Sequence, residues 1–298
     1  VDRCPVTSLY NFLYQLDHFS ELTGWPAWRM SEWLAMAPEA HVELYARMQA
    51  AAPFELLQPQ HSAASGAWRA RQEFVEKDGR PFRHDRETDE WVPLDQAAVS
   101  GHASDYHANE ERWVFSKADV DARVTVTPAA QQIADGANDY LDAVVKRFGR
   151  EAFILSGGVI GTIYSCHWHV GLTNLFSLLL EEPELIEYLC EKILAQNLEA
   201  IRRFAAAGGD AIYIDDATAT SDMISPALYE RFSLPYLKAM VAEIHRLKHK
   251  AILIYFGGIM DRLELIADSG ADGLLPEASM KNFVNDTAEI APRIGDRM

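Results

Sequence analysis

Two adjacent acids, Asp215 and Asp216, follow the apolar run Ala211-Ile212-Tyr213-Ile214. A carboxylate left at the end of a buried strand is placed to donate or accept a proton. A second cluster, Tyr164, Cys166, His167 and His169, follows the glycine-rich stretch Gly157-Gly158 to Gly161. The His-x-His spacing turns both imidazoles to one side only if the segment is extended, and it then suits a metal. Three more groups sit beyond apolar runs: Gln58, Gln60 and His61 after 54–57, Tyr255 and Phe256 after 251–254, and Glu277 after 273–275.

Each group also has a plain structural reading. Asp215-Asp216 suits a turn or a helix cap, Glu277 a rim salt bridge, and the histidines ordinary packing. His84, His102 and His107 fall in a polar stretch that solvent covers. His245 and His249, four apart near a helix end, suit the helix dipole.

The elements that must position these groups read as follows. Residues 7–50 are helical in pattern, broken at Trp25-Pro26, and 39–51 form a helix that Pro53 ends. Phe54 to Gln58 is a short strand. Residues 66–118 are a β-rich insertion: Trp68 to Val75, Pro81 to Arg86 and Glu90 to Pro93 alternate polar and apolar, with a turn at Lys77 to Arg80. Ala129 to Arg147 is one helix. Ala152 to Leu155 is a strand running into a glycine-rich loop. Glu184 to Phe204 is an amphipathic helix with Leu185, Leu189, Ile193, Ile201 and Phe204 on one face. Strands at 211–214, 251–255 and 273–275 alternate with helices. Ser225-Pro226 opens one helix, Pro235 breaks it, and a short helix covers Arg262 to Ser269.

Short apolar strands alternating with helices indicate a parallel sheet buried on both faces. No GxGxxG follows any strand, so a dinucleotide fold is disfavoured. The expectation is one α/β domain over 1–298, a TIM (β/α)8-type barrel with a helical N-terminal region. Barrel chemistry sits at the C-terminal ends of the strands, which is where the polar groups fall.

The chain has 298 residues, 49% of them apolar, with 27 Lys plus Arg against 44 Asp plus Glu and a net charge of −17. This composition excludes a disordered or fibrous chain. The acidic balance argues against nucleic acid and against an anionic membrane surface. The run Leu175 to Leu180 is far short of the roughly 20 residues that span a bilayer. Val1 to Pro5 lacks the apolar core of a signal peptide. Three scattered cysteines, with no CxxC, point to a reducing, cytoplasmic setting.

The stretch Gly208 to Asp216, then Ile224-Ser225-Pro226-Ala227-Leu228-Tyr229-Glu230-Arg231-Phe232, Leu234-Pro235-Tyr236-Leu237 and Ser269 to Leu274, resembles the uroporphyrinogen decarboxylase superfamily over roughly 150–298. The resemblance implies a TIM barrel and one of two activities. One is decarboxylation of uroporphyrinogen without a cofactor. The other is methyl transfer to or from a corrinoid, in several members with zinc. Superfamily members run on past Met298, so one or two βα units are expected beyond this chain.

The decarboxylase pattern is altered here. Its arginine-rich N-terminal motif is missing, Gln58-Pro59-Gln60 replaces the strand-end aspartate, and His169 stands near the family tyrosine. The zinc enzymes' His-x-Cys-Gly reads Tyr255-Phe256-Gly257 preceded by Ile254, without either ligand. The resemblance therefore favours the methyltransferase branch. A small methylated substrate would give its methyl group to a corrinoid (cobalamin) protein, in the manner of an O-demethylase. Catalysis would fall to His169, Asp215, Asp216, Tyr255 and Glu277. Substrate would meet Gln58, Gln60, His61, Tyr164, His167 and Phe256. Any metal would be drawn from His167, His169, Asp216 and Glu277. A homodimer is compatible with this reading. The rival readings are a carboxy-lyase and a barrel that binds a ligand without turnover.

Overall fold

Helical and strand periodicities fold largely where the sequence places them in a computed structural model of the protein. The structure describes residues 14, 17–35, 37–59, 62–94, 111–277 and 282–298. Gln60, His61, His102, His107 and Cys4 lie outside the described residues.

The first elements are α1 (Phe19–Thr23), a 3-10 helix (Ala27–Ala35), α2 (Pro38–Ala51), β1 (Leu56–Leu57) and α3 (Gly66–Arg71). Then come β2 (Gln72–Lys77), β3 (Arg80–Asp85), β4 (Glu90–Pro93), α4 (Lys117–Arg123), α5 (Ala129–Ala134) and α6 (Asp139–Phe148). The series continues with β5 (Phe153–Ile160), α7 (Thr162–Val170), α8 (Leu172–Glu181), α9 (Pro183–Ala206) and β6 (Ala211–Asp215). It ends with α10 (Pro226–Phe232), α11 (Leu234–Arg246), β7 (Lys250–Tyr255), α12 (Leu263–Ala267), β8 (Gly273–Pro276) and α13 (Thr287–Ile294). Contacts divide the chain into two compact units. Unit 1 is Val1–Tyr106, Ala130–Gly157 and Ala207–Asp210, and unit 2 is the remainder.

In unit 1, Tyr45 and Met48 of α2, Val144 and Phe148 of α6, Leu57 and Ile154 form a buried cluster. Strand β1 pairs in parallel with the start of β5, Leu57 opposite Ile154. The expected hairpins form an antiparallel sheet, with Gln72 opposite Asp85 and Phe82 opposite Pro93. The first strand starts later than its alternation suggests. Trp68 lies instead in α3, whose first turn the Ser65 hydroxyl caps by accepting from Trp68 N–H at 3.2 Å. The single helix expected over 129–147 is two helices. Gly136 between them has φ +88°, and a Cβ there would fall 2.8 Å from the Asp139 carboxylate and 3.3 Å from Gly66 N. Glycine alone tolerates that backbone.

Unit 2 holds the end of β5, then β6, β7 and β8, side by side and parallel. Ile214 lies opposite Leu253, and Leu253 opposite Leu274. The glycines expected as a loop belong to β5, which stays extended to Ile160. A Cβ on Gly158 would fall 2.0 Å from the Tyr213 ring, so the glycine makes room for that ring. The break expected at Pro235 falls at Ser233, and Pro235 is instead in the first turn of α11, where its missing N–H costs nothing. Strands alternating with helices give an α/β fold of TIM (β/α)8 type.

Candidate functional site

The residues of unit 2 that could do chemistry are sorted by strand alternation. In β6, Ile212 and Ile214 are buried while Tyr213 and Asp215 are half-buried. Asp215 therefore shares the face of Tyr213, against Gly158. The register puts Ile252 and Ile254 on that face, then Gly273 and Leu275. Glu277, two past Leu275, continues the ladder by donating its N–H to Tyr255 O at 3.0 Å. Alternation places it with Asp215.

The opposite face meets the helices. Asp216 is fully buried, and the Ser233 hydroxyl between α10 and α11 donates to its Oδ2. Tyr255 is also fully buried, with its hydroxyl 2.9 Å from that of Tyr229 in α10. The Arg262 guanidinium is buried beside them. It donates to Ala219 O at 3.1 Å and Ile224 O at 2.6 Å, and its Nε donates to Asp261 at 2.9 Å.

Burial governs the charge states. It pushes the Asp215 carboxyl up to about 6, against a backbone hydrogen bond from Ala217. Asp216 is pushed up to about 7 by burial, with the Ser233 bond and Arg262 pulling the other way and Asp215 adding to the rise. Tyr229 and Tyr255 are raised by burial too, so both phenols stay neutral. Unspent hydrogen-bonding capacity collects at this end of unit 2. Asp215 Oδ1, Asp216 Oδ1 and the hydroxyls of Thr162, Thr218 and Thr220 are buried with no protein partner. Buried polar atoms are nearly always paired, so this concentration singles out the strand end as the candidate site.

The histidine pair sits otherwise. Residues 162–170 are helix α7, not extended, so residues two apart point to different sides. His167 is fully buried, its Nδ1 at the Tyr164 carbonyl and its ring stacked 4.6 Å from Tyr164. His169 is half-buried and held toward neutrality by burial, then by Arg123 and His167. Its carbonyl accepts from Trp113 N at 2.9 Å and Val114 N at 3.2 Å. Cys166, scattered from Cys190 in sequence, meets it at 3.5 Å as a buried thiol pair. Among the described residues no three His, Cys, Asp or Glu side chains gather as a metal-ligand group. His167, His169, Asp216 and Glu277 do not fit zinc as a set, because the histidines diverge on α7 and Asp216 turns toward Ser233.

Of the other expected residues, Phe256 is half-buried after β7, and Gln58 is buried in unit 1, its carbonyl accepting from the Tyr45 hydroxyl at 3.0 Å. His84 pairs with Asp89 at 2.9 Å and stacks on Trp91. His245 pairs with Asp272 at 2.7 Å. Sequence reasoning missed Ser233, Tyr229, Arg262 and Asn285. Tyr229 stood in the family-like stretch 224–232 without a role, and Ser233 offered a signal as a helix-starting residue before Leu234-Pro235.

Parallel strands alternating with helices define the class, an α/β protein whose candidate site lies at the strands' C-terminal ends. The family model for uroporphyrinogen decarboxylase (URO-D) matches residues 111–296. The chain belongs to that family. A uroporphyrinogen decarboxylase of Coxiella burnetii is 31% identical over 127 residues, 41% of this chain and 33% of that protein. A methylcobamide:CoM methyltransferase, MtbA, of Methanosarcina acetivorans is 26% identical over 129 residues, 43% of this chain and 38% of that protein. The chain thus spans about a third of the length of these curated relatives. A solved methyltransferase from Methanosarcina mazei superposes with a TM-score of 0.62 at 16% identity, covering 100% of this chain and 77% of that one. That likeness bears on the fold. No helix among the described residues is long and apolar enough to cross a membrane.

Proposed function

We propose that this protein is a methyltransferase that moves a methyl group from a small methylated substrate to a corrinoid on a partner protein. The observation that carries the reading is Asp215: a strand-end carboxyl on the helix-free face, with a buried, unpartnered Oδ1 and a pKa near 6. Such a group holds a proton close to neutral pH and can release it to a reacting atom. The bond from methyl carbon to heteroatom breaks, the heteroatom keeps the electron pair, and Asp215 supplies its proton. A reduced corrinoid on the partner protein would supply the acceptor for the methyl group. Tyr213 and the aliphatic floor of Ile252 and Ile254 exclude water from the bound methyl group. Glu277 lies on the same face and serves orientation. His169, Asp216 and Tyr255, turned to the helices or placed on α7, support the site from behind.

The 31% identity to a decarboxylase favours a second reading, proton handling in a carboxy-lyase. Against it, the lysine that alternation puts on the Asp215 face, Lys250, stands at the opposite end of β7 and pairs with Asp272, away from where a polycarboxylate would meet Asp215. The test is direct. The protein is mixed with reduced cobalamin and a panel of methyl ethers and methylamines, and methylcobalamin is followed by its absorbance. Formation with one donor, with a rate that falls as pH rises past about 6, is the expected result. No methylcobalamin but turnover of uroporphyrinogen would establish the lyase. Ligand binding with neither reaction would leave a silent barrel.

A further inference from the structure

Three successive strands of unit 2 end in turns that are fastened to one another. Ser221, after β6, donates its N–H to Gly258 O at 2.8 Å. Asp222 Oδ1 accepts from Gly258 N at 3.0 Å. Arg262, after β7, holds the same β6 loop through Ala219 O and Ile224 O. The last fastening is one side chain. Asn285 Oδ1 accepts from Ile259 N at 3.1 Å, and its Nδ2 donates to Gly257 O at 2.9 Å and Glu277 O at 3.0 Å.

Asn285 is 8% exposed, so these bonds form largely out of water, where a lost partner is costly. It is itself anchored. The next residue, Asp286, caps α13 by accepting from Ala288 N at 2.9 Å, and Ile290 and Ile294 of α13 are buried. An amide fits this place because it alone offers an acceptor and two donors in one plane. Aspartate of the same size would face two carbonyl oxygens with a negative charge.

We infer that Asn285 is a positioning residue. It locks the turns after β7 and β8 together, carries that lock through Gly258 to the loop following Asp215 and Asp216, and so fixes where Glu277 leaves its strand. The inference rests on the reading of this strand end as the reactive one. Preorganisation of this kind matters because small misplacements of reacting groups cost large factors in rate.

The experiment compares the whole protein with its Asn285→Ala and Asn285→Asp variants by amide hydrogen exchange and by turnover. Asn285→Ala is expected to lower protection at Ile259, which loses its acceptor, and also at Ser221 and Glu277, which Asn285 does not touch through their N–H groups. Helices α9 and α11 should keep their protection. Turnover, in whichever reaction the wild type performs, should fall about tenfold or more in kcat with KM within about twofold. The Asn285→Asp variant should regain kcat relative to wild type at the same pH on acidification, as a protonated carboxyl can again donate. Loss of protection confined to Ile259, or kcat equal to wild type, overturns the inference. If Asn285→Ala does not fold, the pH-dependent recovery of Asn285→Asp decides. If the wild type performs neither methyl transfer nor decarboxylation, the functional reading falls, and protection at Ser221 and Glu277 still decides the tie.

Discussion

The two faces of the β6–β7 sheet spend their polar groups differently. On the helix side, Asp216 has Ser233, Tyr255 has Tyr229, and Arg262 has two carbonyls and Asp261. Each aspartate keeps one buried oxygen without a protein partner, and that of Asp215 lies on the other face, beside Tyr213 and the isoleucines. Adjacent residues with the same side chain therefore do different work. Asp216 ties its Oδ2 to Ser233 between α10 and α11. Asp215 is held ready at the strand end. A chemical group left uncompensated lowers stability, and a fold keeps one where binding or reaction compensates it.

The largest expected effect follows from removing that readiness. Asp215→Asn should lower turnover by roughly 10²- to 10⁴-fold, the usual worth of a positioned acid. Its melting temperature should hold or rise, since the amide relieves a carboxyl that burial destabilises. Wild-type turnover in Asp215→Asn would break the contrast between the faces.

Asp216→Asn should act on stability instead. Its carboxyl ionises near the ordinary aspartate value of 3.8 when unfolded and at about 7 when folded. Below about pH 4 both states hold the proton. Between about 4 and about 7 the unfolded chain gives it up first, so stability falls as pH rises, and above about 7 the loss levels off. The variant should lack that loss, on the order of 4 kcal/mol at neutral pH, in urea unfolding measured across the window. A smaller slope should persist up to about pH 6, because Asp215 titrates in the same sense. Parallel curves for wild type and variant would show that Asp216 is not the buried acid described here.

Much of this was legible from the chain, and the reasons are local. Short apolar strands ending in Asp215-Asp216, Tyr255 and Glu277 announced themselves, as did the hairpin turn at Asp78-Gly79. Those signals depend on sequence neighbours. The errors came where a distant contact decides. Gly158 looked like a loop residue because its reason, the Tyr213 ring, lies 55 positions on. Gly136 split a helix whose periodicity runs on through it. His167 and His169 read as a pair only while 162–170 was extended. Above all, sequence placed Asp215, Asp216 and Tyr255 in one group at the rim. Register separated them, because which parity faces the helices is set by pairing between strands and not by either strand alone.

Tyr255→Phe is the smallest effect and the sharpest check on that parity. The substitution keeps the ring in its fully buried place and removes the hydroxyl 2.9 Å from Tyr229. Tyr229 then holds a buried hydroxyl without this partner, at a cost of about 1 kcal/mol. Unfolding in urea should show that loss with an unchanged slope, since no additional surface is exposed. Turnover and its pH profile should stay at wild-type values, because the hydroxyl faces α10 and Asp215 faces the other way. A fall in kcat as large as that of Asp215→Asn would place the Tyr255 proton in the reaction path. The helix side would then share in the chemistry, and burial on that face would have to open during turnover.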